Sequence, residues 1–278
     1  MITAALIVDT FREALARKIF WGLFALSLLM ILFFLFVMRI DVVEGATATI
    51  SLFGQTADKT NVGVDKLVPQ IHGAIAAFLY SFGMFLAIFA SAGLIPSVLE
   101  PGRIELVLSK PVSRAHLLAG RFLGNLLVVG INLTLLVTGI WLIFGWKTGF
   151  WNVPFLLTIP LTLFIFAVML TVVALVGVLW ESTALSVMVP VFLMILSPVL
   201  AQDKVVRKLL DSEWSRDLWH ALYYALPKVF DTGRIILQVV TGKGAGMGAF
   251  EWWPIWTSAA FAIVVYGTAQ WVFSRRDF

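Results

Sequence analysis

Polar and apolar positions are sorted into long blocks along this chain. Six stretches, Ile19 to Met38, Gly73 to Leu99, Phe122 to Trp146, Thr148 to Trp180, Ser182 to Gln202 and Trp252 to Ser274, contain no Asp, Glu, Lys or Arg. Each reaches the roughly 20 residues that a helix rising about 1.5 Å per residue needs to cross a hydrocarbon core about 30 Å thick. The pattern predicts an all-α integral membrane protein with six transmembrane helices. Trp21, Trp146, Trp151, Trp180, Trp252, Trp253, Trp256 and Trp271 fall near the proposed span ends, where an aromatic belt belongs.

The segments between the blocks have patterns of their own. Met1 to Lys18 reads as an amphipathic helix in the headgroup plane: Ile7, Phe11, Ala14, Leu15 and Ile19 follow the i, i+3, i+4 spacing, while Asp9, Arg12, Glu13 and Arg17 hold another face. Glu13 and Arg17 are spaced as a favourable i, i+4 pair. The alternative is a plain extension of the first span. Arg39 to Gln70 reads as a mixed loop without a strong period, with Pro69 at the expected start of the second span. Pro154 and Pro160 open the fourth span, Trp180-Glu181-Ser182 makes a tight turn, and Pro190 and Pro198 predict kinks in the fifth. In the loop 203–251, Leu210, Trp214, Leu218 and Leu222 repeat every four residues, Pro227 stops that helix, and Asp231 or Thr232 caps a second one running to about Val240. Gly242, Gly244, Gly246 and Gly248 form a connector that lacks the strand and Lys-Ser/Thr of a phosphate cradle.

Small residues mark two helix-packing stripes, Gly83, Ala87 and Ser91 in the second span and Gly120 with Gly124 at the start of the third, because small side chains let helices approach closely. Composition narrows the function. Of 278 residues 60% are hydrophobic and 13% charged, against about 25% charged in a soluble domain. With no cysteine, disulfides, thiolate metal sites and thiol nucleophiles are excluded. The net charge of +4 sits mostly in loops and chain ends, which suits membrane lipids and not a nucleic-acid partner. A cleavable signal peptide is a poor reading of the first block, since Arg39, Asp41 and Glu44 separate it from the Ala46-Thr47-Ala48 triplet. The Lys and Arg counts, nine on one side and eleven on the other, do not place the amino terminus. The four acidic residues before Pro227 mark the last loop as a folded unit, and both termini are expected in the cytoplasm of a cell (plasma or inner) membrane protein.

The richest chemistry joins spans two and three. Glu100-Pro101-Gly102-Arg103 makes a charged turn, Ile104 to Leu108 a short amphipathic stretch, and Lys110-Pro111 a second turn before Ser113, which can cap the next helix. Here the chain resembles the permeases of ABC-2-type transporters, in particular the permease components of multicopper-enzyme maturation systems. Their "Leu-x-Leu-Ser-x-Pro-x-Ser-Arg" string is matched by Leu106, Leu108, Ser109, Lys110, Pro111, Val112, Ser113 and Arg114. Gly120-Arg121-Phe122-Leu123-Gly124 is similar to their "Gly-Lys-Phe-x-Gly", with Arg for Lys, and Tyr223-Tyr224-Ala225-Leu226-Pro227 to their "Tyr-x-Leu-Pro".

The resemblance implies a single permease domain over 1–278, with a cytoplasmic coupling segment at 100–121 and an extracytoplasmic helical loop at 203–251. It implies an ATP-driven exporter in which Glu100, Gly102, Arg103, Glu105, Leu106, Lys110, Pro111, Ser113 and Arg114 couple to a separate ABC ATPase subunit. It also implies a second permease subunit, as homodimer or heterodimer. The chain holds no G-x-x-x-x-G-K-[ST], so it is not expected to be an enzyme or to carry a cofactor; ATP and Mg²⁺ belong to the partner. An ordinary polar loop is the plainer reading of 100–114. A secondary transporter or channel is the functional alternative, disfavoured because no span carries an ionisable Asp, Glu, Lys or Arg to bind a driving ion. Asn132 is the best central polar candidate and His72 lies at a span edge. His72, His116 and His220 are isolated, so neither an intramembrane enzyme nor a metal site is expected.

Overall fold

The computed structural model describes residues 2–16, 18–43, 47–52, 55–93, 96–98, 113–202, 206, 212–242 and 251–276. Six apolar helical stretches are long enough to cross a membrane: Phe20–Val37, Val64–Ala92, Arg114–Thr148, Val153–Trp180, Thr183–Leu200 and Trp253–Arg275. The membrane part is therefore all-helical with six spans. In chain order the helices are α1 (Ile2–Ala16), α2 (Lys18–Leu32), α3 (Val64–Phe78), α4 (Met84–Ala92), α5 (Arg114–Thr148), α6 (Thr158–Trp180), α7 (Thr183–Leu200), α8 (Glu213–Ala225), α9 (Val229–Thr241) and α10 (Trp253–Arg275). Two π-helical segments complete the first and second spans, Phe33–Val37 after α2 and Leu79–Gly83 between α3 and α4.

Because successive spans reverse direction, α1, the end of α4, the start of α5 and the last residues of α10 share one end of the bundle, the near end. The far end carries α8, α9 and a small sheet. That sheet corrects the expected loop at 39–70: β1 (Met38–Val43), β2 (Thr47–Leu52) and β3 (Gln55–Gly63) pair antiparallel in the order β1-β2-β3. The register runs from Met38 opposite Leu52 to Val43 opposite Thr47, and the β2–β3 ladder shifts between Ala48 and Ile50. β-Branched residues such as Ile40, Val42, Thr47, Thr49 and Ile50 favour the pleated conformation.

The core forms around α6, whose residues Val168 to Ala174 are buried on every side. A helix that is apolar all round and free of charge has no face to give to water, so it takes the centre. The outer helices present one face to it and another to lipid, and all eight predicted belt tryptophans are exposed. Helix ends follow local chemistry. Gly149 and Glu181 adopt left-handed φ values of 71° and 52° after α5 and α6, and Ser182 caps α7 by accepting from Leu185 N at 3.4 Å.

Two sequence expectations shift, at the starts of α3 and α9. The second span begins at Val64, so Pro69 lies inside α3 and not at its start. Pro190 and Pro198 lie within the fifth span as expected, inside α7 from Thr183 to Leu200. α9 begins at Val229, ahead of the proposed caps Asp231 and Thr232, and Asp231 occupies its first turn, where a carboxylate meets the positive end of the helix.

Candidate functional site

The near end is built from paired helix termini. Ser113, the predicted cap, does cap α5: its hydroxyl oxygen accepts from His116 N at 3.3 Å. Arg114, the first residue of α5, donates to Phe273 O at 3.4 Å, Ser274 O at 3.3 Å and Arg276 O. These carbonyls end α10, where the last turn has no partners of its own and the helix dipole is negative. Arg276 in turn donates to Val178 O near the end of α6 and pairs with the Glu181 carboxylate at 2.9 Å. The start of α5 and the ends of α6 and α10 are thus tied into one plate by two arginines.

A second tie holds α1. Arg121 is buried on α5 and reaches two carboxylates, Asp9 at 3.2 Å and Glu13. The expected partner of Glu13, Arg17, lies outside the described residues; Arg121 reaches Glu13 from another helix. Gly120 and Gly124 flank Arg121 and form the floor on which α1 rests. A Cβ on Gly120 would stand 2.5 Å from Leu6 Cβ, and one on Gly124 2.6 Å from Thr10 Cβ, distances real side chains do not tolerate. The buried face of α1 accordingly runs through Thr10 and Ala14, leaving Ile7, Phe11 and Leu15 half-buried.

Of the predicted coupling residues, Ser113 and Arg114 belong to this plate. Glu100, Gly102, Arg103, Glu105, Leu106, Lys110 and Pro111 lie outside the described residues. The described chain on either side of them ends in α4 with the short turn Pro96–Val98 and resumes at the Ser113 cap. At 113 the start of α5 is joined to α1 and α10, and through Arg276 to α6.

Within the membrane, α5 makes two polar seams. Ser91 Oγ donates to Asn125 Oδ1 at 2.9 Å, joining the second and third spans, and Ser27 Oγ donates to Asn132 Oδ1 at 2.9 Å, joining the first and third. Of the other small-residue stripe, Ala87 and Ser91 are buried. At Gly83 an added Cβ would meet nothing closer than Leu79 Cβ of the same helix at 4.0 Å.

The far end holds polar groups that sequence reasoning passed over. Lys147 donates to Phe34 O at 2.8 Å and Leu35 O at 2.6 Å, capping carbonyls of the π-helical end of the first span. In the sequence it is a lone cation between the belt tryptophans Trp146 and Trp151. Lys228 is buried at 1% exposure, donates to Tyr223 O, and lies 3.4 Å from the Tyr223 ring centroid. Its place directly after Pro227 was the available signal. Asp231 accepts from Tyr223 Oη at 3.1 Å. Burial pushes its carboxyl above the ordinary range; the Tyr223 bond and the charges of Lys228 and Arg234 oppose that, and Glu251 adds to it. Tyr80 from the second span donates to Val229 O, fastening α9 to the bundle. His72 is not at a wet edge: it is fully buried, stacked on Phe155 at 4.1 Å, with Asn152 Nδ2 3.3 Å from its Nδ1. His116 and His220 lie apart from it, and among the described residues no group of three or more His, Asp or Glu could hold a metal ion.

A bundle of six apolar spans whose ionic groups are gathered into ties at the two ends is the construction of a multi-pass membrane protein. The chain belongs to the family described as ABC-2 family transporter protein, which it matches over residues 4–278. It is thus a membrane subunit of an ABC transporter system. Among curated proteins no match is found.

Proposed function

We propose that this chain is the permease subunit of an ATP-driven exporter and that a separate ABC ATPase docks on the segment 100–114. The observation that carries the proposal is the near-end plate. Arg114 and Arg276 join α5, α6 and α10, and Arg121 joins α1 to α5. A push delivered just before Ser113 is passed to four helices together. The charge-free spans support an external energy source, since an ion-driven carrier keeps ionisable groups where the ion binds. ATP and Mg²⁺ then reside in the partner, both termini face the cytoplasm, and two six-span subunits form the pathway. The "Leu-x-Leu-Ser-x-Pro-x-Ser-Arg" string favours the subtype resembling multicopper-enzyme maturation permeases, with no metal substrate implied.

The test is docking itself. Arg103→Glu and Glu105→Lys should each lower co-purification of the ABC ATPase that the wild-type chain retains and its substrate-stimulated hydrolysis, with membrane insertion unchanged. An intact complex and full activity in both variants would refute the assignment. Topology is tested separately: in a chain without native cysteine, Ser212→Cys should react with an impermeant thiol reagent in intact cells and Ser113→Cys should not.

A further inference from the structure

α8 has no buried residue, yet its apolar and charged residues are strictly sorted. A turn of about 3.6 residues divides it into three sides. Trp219 and Tyr223 are half-buried and turned toward the rest of the fold, where Tyr223 Oη donates to Asp231 of α9 at 3.1 Å. Trp214, Leu218 and Leu222 form a second side and are 73%, 44% and 42% exposed. Ala221 and Ala225 extend that strip and are exposed as well. Glu213, Asp217 and His220 form the third side, also exposed. An open apolar strip bordered by charge marks a surface that meets something apolar.

The depth of α8 is fixed at its carboxyl end. Lys228 N donates to Ser258 Oγ at 3.0 Å, and Phe230 N donates to Ser197 Oγ at 2.9 Å. Ser258 lies five residues beyond Trp253, the first residue of α10, or about 7.5 Å along that helix. Ser197 lies three residues before Leu200, the last residue of α7, or about 4.5 Å along that one. The turn after α8 therefore sits inside the far ends of both spans and not above them. Tyr224 packs its ring 5.8 Å from that of Trp253, and Trp252 and Trp256 are exposed at the same end. The carboxyl end of α8 is thus at the level of the tryptophan belt, where headgroups meet acyl chains.

We propose that α8 lies along the membrane surface at the far end, with its axis in the headgroup plane and Trp214, Leu218 and Leu222 inserted among phospholipid acyl chains. Helices of this kind carry their apolar face about 5–10 Å into the boundary between headgroups and chains, the depth at which Ser197 and Ser258 hold the turn. A helix standing out of the bilayer would leave Trp214, the residue of the strip farthest from that turn, in water. Lying flat places the apolar strip in hydrocarbon, Glu213, Asp217 and His220 in water, and Tyr223 against the bundle. The chemistry recognised is the acyl layer and not an anionic headgroup, since the wet side carries two carboxylates. This placement follows from the membrane fold and holds whether or not 100–114 docks an ATPase.

The test attaches one nitroxide at a time to Trp214→Cys, Leu218→Cys, Leu222→Cys, Asp217→Cys and His220→Cys in this cysteine-free chain. All five positions are exposed, so the substitutions leave the packing intact. The full chain is reconstituted in nanodiscs of phosphatidylcholine alone. Electron paramagnetic resonance then reads collisions with oxygen, which concentrates among acyl chains, and with a water-soluble nickel chelate. For an apolar face at interfacial depth, the oxygen-to-nickel ratio should be at least about fivefold higher at the first three positions than at Asp217 and His220. Equal ratios at all five positions would put the strip in water and overturn the proposal. So would a ratio that falls steadily from Leu222 to Trp214, which describes a helix standing out of the bilayer. Shielding of Leu218 and Leu222 from both reagents would also overturn it, by showing that a second copy of this chain covers the strip in place of lipid.

Discussion

Replacing Arg121 by Met withdraws a cation from two carboxylates at once, and the structure sets the size of the effect. The Arg121 side chain is 5% exposed and that of Glu13 16%, whereas Asp9 is 65% exposed. The Glu13 pair is therefore close to a buried one, for which loss of a single partner costs about 3–5 kcal/mol. The Asp9 pair is a surface bridge, where about 0.2–1 kcal/mol is typical. With Glu13 keeping some contact with solvent, the low end applies: about 3 kcal/mol, or about a hundredfold in the equilibrium between docked and undocked α1. Thr10 is fully buried on the face of α1 that rests on α5, so Thr10→Cys in this cysteine-free chain reports undocking through its rate of maleimide modification. That rate should rise about a hundredfold in R121M and less than about fivefold in D9N. E13Q/R121M, which leaves no buried unpaired charge, should recover much of the loss. Modification of R121M at the parental rate, or an equal effect of D9N, would show that glycine packing alone holds α1.

Gly120→Leu should release α1 by overpacking against Leu6, costing about 1–3 kcal/mol, and the Thr10→Cys reporter reads it directly. Lys147→Met should lower the unfolding temperature seen by tryptophan fluorescence, because the Phe34 and Leu35 carbonyls lose their donor, a penalty of about 1–3 kcal/mol; Lys147→Arg should restore part of it. At the far end, the folded Asp231 carboxyl titrates above its ordinary value of 3.8. The folded state thus holds this proton more tightly than the unfolded one, so stability is greatest below that value and declines as pH rises through the folded pKa. Wild type should lose stability relative to D231N across that window, and parallel melting curves from pH 3.5 to 7 would contradict it.

The six spans were legible because hydrocarbon forbids charge, so the charge-free runs and their tryptophan borders carry the signal without help from tertiary contacts. The four-residue repeat around Trp214 and Leu218 and the stop at Pro227 likewise read as α8, since they are local. The sheet at Met38–Gly63 was not legible, because its pairing depends on strand register while its composition alone looks like a loop. Gly120 and Gly124 announced a close helix approach, yet nothing nearby in sequence named α1 as the visitor. Arg121 meets Glu13 across 108 residues, and Lys147 meets Phe34 across 113; ties of that reach leave no spacing pattern. His72 was misplaced for a related reason, as hydropathy put it at a boundary while α9 and Phe155 cover it in the fold.

The length of α5 has a mechanical meaning. Its 35 residues make a rod of about 52 Å at about 1.5 Å per residue, against a hydrocarbon thickness of about 30 Å. Some 20 Å of it, about 13 residues at that rise, must stand outside the hydrocarbon or be taken up by tilt. Such a rod is a lever arm. If Lys147, fastened to the first span, serves as the fulcrum, a rotation of about 5° sweeps the Arg114 tip through about 4–5 Å, nearly one helical turn. A modest swing there would be enough to move α1 and the ends of α6 and α10 by the distance that separates one side-chain register from the next.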